Sequence, residues 1–258
     1  MMQDLTGRVV WVTGAGTGIG RAIALSFAAA GCRVAISGRR AGMLAETAAL
    51  IEAAGGHATV VPADVSNAAD VDTAHAHIVK TLGDVAILVN NAGANAKRRH
   101  WRDLAPEDMA RVVDVNLKGP FLCSIAVLPA MRRAGAGTLI HVVSNAAAGI
   151  FTVAGPSYTA SKHAARAMSA TINAEEGIHG IRSICINPGE VETPILDTRP
   201  NPPTAADRAL MVQPGDIAAS ALFAAQLPPR TCMAEMLITP TDNNFYRASA
   251  KALSRGPA

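Results

Sequence analysis

Tyr158 and Lys162, one helical turn apart in the run Tyr158-Thr159-Ala160-Ser161-Lys162, are the pair in this chain best suited to moving a proton. Side chains four residues apart share a helix face. A tyrosine phenol titrates near pH ~10, and a neighbouring ammonium favours the phenolate, drawing that value toward the range of a working acid or base. On a plain surface helix the same pair would only be stacked and solvated. Proton chemistry therefore requires a binding site next to the pair.

A glycine turn near the start of the chain supplies one. The apolar run Arg8-Val9-Val10-Trp11-Val12 breaks into Thr13-Gly14-Ala15-Gly16-Thr17-Gly18-Ile19-Gly20 and passes into the helical pattern Arg21-Ala22-Ile23-Ala24-Leu25-Ser26-Phe27. Glycines let a backbone approach a pyrophosphate closely, and the unpaired amides and dipole of a helix start favour its negative charge. A tight strand-to-helix turn also needs glycine for steric reasons. The strand before and the helix after are the context that favours phosphate.

Further apolar runs read as strands at Arg33 to Ser37, His57 to Val61, Val85 to Val89, Thr138 to Val143 and Arg182 to Ile186, with helical patterns between them. Short continuous apolar strands separated by helices indicate an α/β fold with a doubly wound parallel sheet covered on both faces, a three-layer αβα Rossmann arrangement. Ligands in such sheets bind at the carboxyl ends of the strands. Those ends carry the glycine turn, Ala63-Asp64-Val65, Asn90-Asn91-Ala92-Gly93, Ser144 and Asn187-Pro188-Gly189. No second glycine turn or internal repeat divides the chain, so residues 1–258 read as a single domain. The stretch from about 190 to 214 departs from the pattern: Pro194, Pro200, Pro202 and Pro203 break any long helix, and its position after a strand end favours a substrate lid over a surface excursion.

Composition bounds the function. Half of the 258 residues are hydrophobic, which suffices for one substantial core. The formal net charge of +3 is spread along the chain, and nucleic acid or an acidic membrane would call for a concentrated basic stripe. Cys32, Cys123, Cys185 and Cys232 are far apart, with no spacing for a metal or a disulfide scaffold, and read as reduced, buried thiols. The amino terminus has no charged leader with an apolar core, and no apolar stretch reads as an uninterrupted bilayer span, so a cytoplasmic location is expected.

From about Leu5 to Tyr246 the chain resembles the classical short-chain dehydrogenase/reductase family. Thr13-Gly14 with Gly18-Ile19-Gly20 is similar to that family's cofactor motif, with Thr17 inside it. Asp64, followed by Val65, resembles its adenine contact, Asn91-Ala92-Gly93 its cofactor-lining segment, and Pro188-Gly189 with Val191 and Thr193 its nicotinamide-holding segment. Asn116, Tyr158 and Lys162 fall where the family has catalytic members. The resemblance implies an NAD(P)-dependent oxidoreductase that moves a hydride between nicotinamide and a carbonyl or secondary alcohol. Tyr158 would be the proton donor, Lys162 would lower its pKa and hold the ribose, and Asn116 would position a water. Ser144 would stabilise the substrate oxygen. A homotetramer is also implied, with Ala105 to Arg132 and Ser157 to Glu176 at the interface, although their alanines equally suit helix-on-sheet packing.

Three departures matter. The family places its serine thirteen residues before the tyrosine, where this chain has Asn145; counting from the strand favours Ser144 and one extra residue in the loop that follows. At the end of the second strand Gly38 stands where an NAD-preferring enzyme has an acid, and Arg39 and Arg40 follow, so NADP(H) is favoured over NAD(H). Leu237-Ile238-Thr239-Pro240-Thr241 replaces the closing Asp-Gly-Gly of many acyl-carrier ketoreductases, an ending closer to members acting on small hydroxy acids and alcohols. Expected pocket residues are Asn95, Asn145, Phe151, Glu190 and Leu196. The run Lys97-Arg98-Arg99-His100 reads as a solvated basic loop, or else as an attractor for a carboxylate or carrier phosphates. Acyl-carrier ketone or enoyl reduction on the same scaffold, and a dinucleotide sensor without turnover, stay open as alternatives.

Overall fold

In a computed structural model, which describes residues 2–199 and 201–242, seven parallel strands form one sheet in the order β3-β2-β1-β4-β5-β6-β7. The strands are β1 (Val9–Thr13), β2 (Arg33–Gly38), β3 (Ala58–Pro62), β4 (Ile87–Asn90), β5 (Gly137–Val142), β6 (Ile181–Pro188) and β7 (Glu235–Ile238). The helices are α1 (Gly18–Ala29), α2 (Ala41–Ala53), α3 (Ala68–Leu82), α4 (Pro106–Val113), α5 (Gly119–Ala134), α6 (Pro156–Glu176), α7 (Ala205–Ala209) and α8 (Pro214–Gln226).

Alternation along β1 builds both halves of the core. Val10 and Val12 face Ile23, Phe27, Leu44 and Ile217 of the α1, α2 and α8 layer. Val9 and Trp11 face Val71, Ile78, Val127 and Met168 of the α3, α5 and α6 layer. The resulting three-layer αβα sandwich is the Rossmann-like arrangement expected. β7 was not foreseen: its Glu-Met-Leu-Ile run is partly exposed and lacks the continuous apolar character of the other strands.

Two further expectations are corrected, one on the cysteines and one on the 190–214 stretch. By length and composition the helical stretch 106–134 is apolar enough to cross a bilayer, but half of its most apolar window is buried, and Cys123, Val127 and Met131 pack in the sheet's core. Cys32, Cys123 and Cys185 are buried, whereas Cys232 is exposed. The 190–214 stretch is not irregular throughout. It contains a 3-10 turn, Pro194–Thr198, and α7, whose start is closed by a Thr204–Asp207 capping box. Its two ends are tied by Glu192 N–H to Val212 O (2.9 Å) and Val212 N–H to Glu190 O (3.1 Å). Pro200 and Tyr246, the far limit of the sequence resemblance, lie outside the described residues.

The order of the sheet opens a crevice where β1 and β4 diverge toward connections on opposite faces. Thr13, at the end of β1, closes its floor. The hydroxyl donates to Val89 O (3.2 Å) and accepts from the amides of Asn91 and Ala92 (3.1 Å each), while Asn91 Nδ2 donates to Thr13 O (2.9 Å) and Gly14 O (3.2 Å). The full hydrogen-bonding capacity of a hydroxyl is used. Thr13→Val keeps the shape but strands both amides, so we expect a loss of about 2–4 kcal/mol, read as a lower urea midpoint at unchanged m-value.

Candidate active site

The strand ends enclose a crevice of about 370 Å³ that runs from Arg39, Arg40 and Asp64 at one end to Ser144, Tyr158 and Lys162 at the other. The glycine turn forms its floor. Gly14 has φ +64, and a Cβ there would come 2.8 Å from Ala92 Cα. A Cβ on Gly20 would strike Asn91 Nδ2 and Gly14 O, so the turn and the Asn91 segment interlock only without side chains. Arg21 fastens the turn from behind, donating to Gly16 O (2.6 Å) and Thr47 Oγ1 (3.0 Å). Thr17 begins α1 without a side-chain cap, leaving the first-turn amides to other acceptors. A cradle that a Cβ would fill, ending on an uncapped helix start, fits the diphosphate of a dinucleotide.

At the outer end β2 finishes on Gly38, followed by exposed Arg39 and Arg40, both lining the crevice. Burial works against the charge of Asp64, but the Ser66 hydroxyl (2.6 Å) and amide (3.0 Å), together with Arg39, hold the carboxyl below its ordinary range. It is an ionised acceptor at neutral pH.

At the inner end α6 carries Tyr158 and Lys162. Burial holds the Tyr158 phenol above its ordinary value; a hydrogen bond with Ser144 and the cations of Arg199 and Arg99 pull it back only in part. This corrects the expectation that Lys162 brings the phenol down. The Lys162 ammonium stands 5.5 Å from the centre of the Tyr158 ring and donates to Val142 O (3.1 Å). Its own burial lowers its pKa to about 8. Desolvation thus favours the neutral form of both groups.

Ser144 lies just beyond β5. Its hydroxyl accepts from Ala146 N–H (3.1 Å) and donates to Asn145 Oδ1 (3.2 Å). Asn145 lines the crevice beside it. Asn116 sits on a π-helical turn, Asp114–Lys118, between α4 and α5. Its Oδ1 accepts from Ala94 N–H (2.8 Å), and its Nδ2 donates to Ala94 O (3.0 Å) and Ser161 Oγ (3.1 Å). A Cβ on Gly93 would lie 3.7 Å from Asn116 Oδ1 and 4.0 Å from Lys162 Nζ, so the three are neighbours.

Of the residues expected from the sequence, Gly14, Thr17, Gly18, Ile19, Arg39, Arg40, Asp64, Val65 and Asn91-Ala92-Gly93 line the crevice. So do Ser144, Tyr158, Lys162, Pro188, Gly189, Val191 and Thr193, and the pocket residues Asn95, Asn145, Phe151, Glu190 and Leu196. Gly20 and Asn116 stand one layer behind. Sequence reasoning did not single out Arg99 and Arg199. Lys97 and Arg98 are exposed as a solvated loop should be, but Arg99 is only 4% exposed and lines the crevice. Nothing in a run of basic residues marks which one turns inward.

A parallel sheet whose glycine turn opens onto a crevice at the strand ends is the arrangement of a dinucleotide-binding fold. A profile of the short chain dehydrogenase family matches residues 8–203, and the chain belongs to that family as an NAD(P)-dependent oxidoreductase. A sepiapterin reductase of Chlorobaculum tepidum is 33% identical over 244 residues, covering 92% of this chain and 98% of that protein. A metagenomic short-chain oxidoreductase solved with NADP superposes with a TM-score of 0.81 at 29% identity, over 93% of this chain and 99% of the other. An alcohol dehydrogenase from Thermococcus sibiricus, complexed with 5-hydroxy-NADP, gives a TM-score of 0.81 at 27% identity, over 91% and 97%.

The buried lysine makes a pH-dependent contribution to stability. Its folded pKa, about 8, lies below the ordinary 10.5, so between those values the unfolded chain holds a proton that the folded chain has released. Stability therefore rises with pH across that window, and the cost of the buried charge is fully present below it. We expect the stability difference between wild type and Lys162→Met to shift in favour of wild type from pH 8 to pH 10.5 in denaturant titrations.

Proposed function

We propose that this enzyme reduces a carbonyl to a secondary alcohol, or runs the reverse, with NADP(H) preferred over NAD(H). The observation that carries this reading is the grouping of Tyr158, Ser144 and Lys162 at the inner end of the crevice, with the Lys162 ammonium 5.5 Å from the centre of the Tyr158 ring. The dinucleotide, when bound, supplies or accepts the hydride; Gly14 to Ile19, Asp64 and Asn91 to Gly93 would hold it, with Pro188, Gly189, Val191 and Thr193 at its nicotinamide end.

Tyr158 and Ser144 converge on one substrate oxygen. The raised pKa keeps the phenol protonated at neutral pH, the state needed to give a proton to a carbonyl oxygen as negative charge develops there. The Ser144 hydroxyl donates to the same oxygen and stabilises that charge. After transfer, the cations of Arg199 and Arg99 stabilise the phenolate. With a pKa of about 8, Lys162 can pass a proton on in the working range. Asn116 acts by position: both of its amide hydrogens are committed, fixing the Ala94 segment to α6, and in this reading the same turn would place the water that links Lys162 to solvent.

NADP(H) preference rests on Arg39 and Arg40 with no acid at the end of β2, and the named ligands of the two solved relatives agree with it. A cytoplasmic location remains part of the proposal, as does a homotetramer, for which the exposed Met109, Phe121 and Ile125 on α4 and α5 offer an apolar surface. The test is Tyr158→Phe. We expect kcat for ketone reduction to fall by about three orders of magnitude, with NADPH affinity, read from nicotinamide fluorescence, held within about threefold.

A further inference from the structure

Arg99 is a charged side chain buried at the tyrosine end of the crevice, and the chain is shaped to put it there. It leaves the β4 connection against the start of α6, where Gly155 (φ +79) has no Cβ; one built there would come 2.9 Å from Arg99 Cβ and 3.0 Å from Cγ. Asn95 Nδ2 joins the same two segments by donating to Ala154 O (3.0 Å). Arg199 enters from the lid, just after the Pro194–Thr198 turn, aimed by Glu190 at 2.9 Å. Two guanidinium groups from independent segments thus line one end of one pocket with Tyr158. Burial and repulsion from Arg199 lower the pKa of Arg99 while Tyr158 raises it, so an anion bound between the two guanidinium groups would favour their charged forms.

We propose that Arg99 and Arg199 clamp a carboxylate, making the substrate an oxo acid, or the corresponding hydroxy acid in reverse, whose reacting oxygen lies at Tyr158 and Ser144. The proposal rests on the carbonyl-reductase reading above. Glu190 already meets Arg199, and the Lys162 ammonium is engaged with Val142 O and the tyrosine ring, so the anion would be held by guanidinium groups. A planar carboxylate also matches the guanidinium fork. Phe151, Val153 and Leu196 supply an apolar wall for a short carbon chain.

The test uses the full chain with NADPH and a panel of α-, β- and γ-oxo acids, each beside its methyl ester. For the preferred skeleton, kcat/KM for the acid should exceed that for the ester by about 100-fold. That ratio should collapse to within about threefold in Arg99→Gln and Arg199→Gln, with Arg99→Lys intermediate. A purely structural role would slow acid and ester alike and leave the ratio standing, which would overturn the proposal, as would a wild type that prefers esters. Calorimetry of the same acids and esters with the enzyme–NADP⁺ complex separates the two readings. Acids bound at least tenfold tighter than esters in wild type but not in Arg99→Gln, with no turnover of either, would keep the clamp and remove the reductase chemistry. Acids bound no tighter than esters would remove the clamp.

Discussion

The seam across Thr13 is the constraint on which the rest of the site depends. Two parallel strands whose connections leave on opposite faces must part at their carboxyl ends, and parting exposes backbone amides in a place that must stay open. One hydroxyl satisfies the amides of Asn91 and Ala92 and reaches Val89 O, while the Asn91 side chain bonds back to Thr13 O and Gly14 O. The divergence is locked without being filled. The glycines above it exist on the same terms, because a Cβ at Gly14 or Gly20 would collide with the segment that the seam holds in place.

Burial, more than charge pairing, sets the chemistry at the inner end. Lys162 is pulled down to about 8 and Tyr158 is pushed up, both because a dry environment disfavours the charged form. A phenol that keeps its proton beside an amine that can give one up is arranged for donation and resupply. The cations that do act on the phenol are Arg199 and Arg99, and they arrive from loops, not from α6. The electrostatics of the tyrosine are therefore tied to the parts of the chain that meet the substrate.

The fold was legible because β1 and β4 are nearly continuous apolar runs and β2, β5 and β6 are largely apolar, as buried parallel strands tend to be. β7 escaped notice because an edge strand with exposed residues carries no such run. The crevice was legible for the same reason: strand ends carry the ligand-facing residues, and Asp64, Asn91, Ser144 and Gly189 all sit at one. Counting from the strand and counting from the tyrosine disagreed over Ser144 and Asn145, and both residues line the crevice. The direction of the Tyr158 shift was not legible, since spacing along a helix reveals proximity to Lys162 but not the depth of burial. Arg99 was hidden by its neighbours: Lys97 and Arg98 face solvent, and only the packing at Gly155 turns the third basic residue inward.

The central claim is that a hydride passes between nicotinamide and a carbonyl carbon in this crevice while Tyr158 handles the proton. Isotope tracing tests it most directly. NADPH carrying deuterium at its transferable position is incubated in ordinary water with the enzyme and a panel of ketones and oxo acids, and the products are weighed by mass spectrometry. The account predicts one deuterium on the new carbinol carbon, with the hydroxyl hydrogen drawn from solvent. NADPH that binds tightly yet delivers no deuterium to any carbonyl in the panel would contradict it.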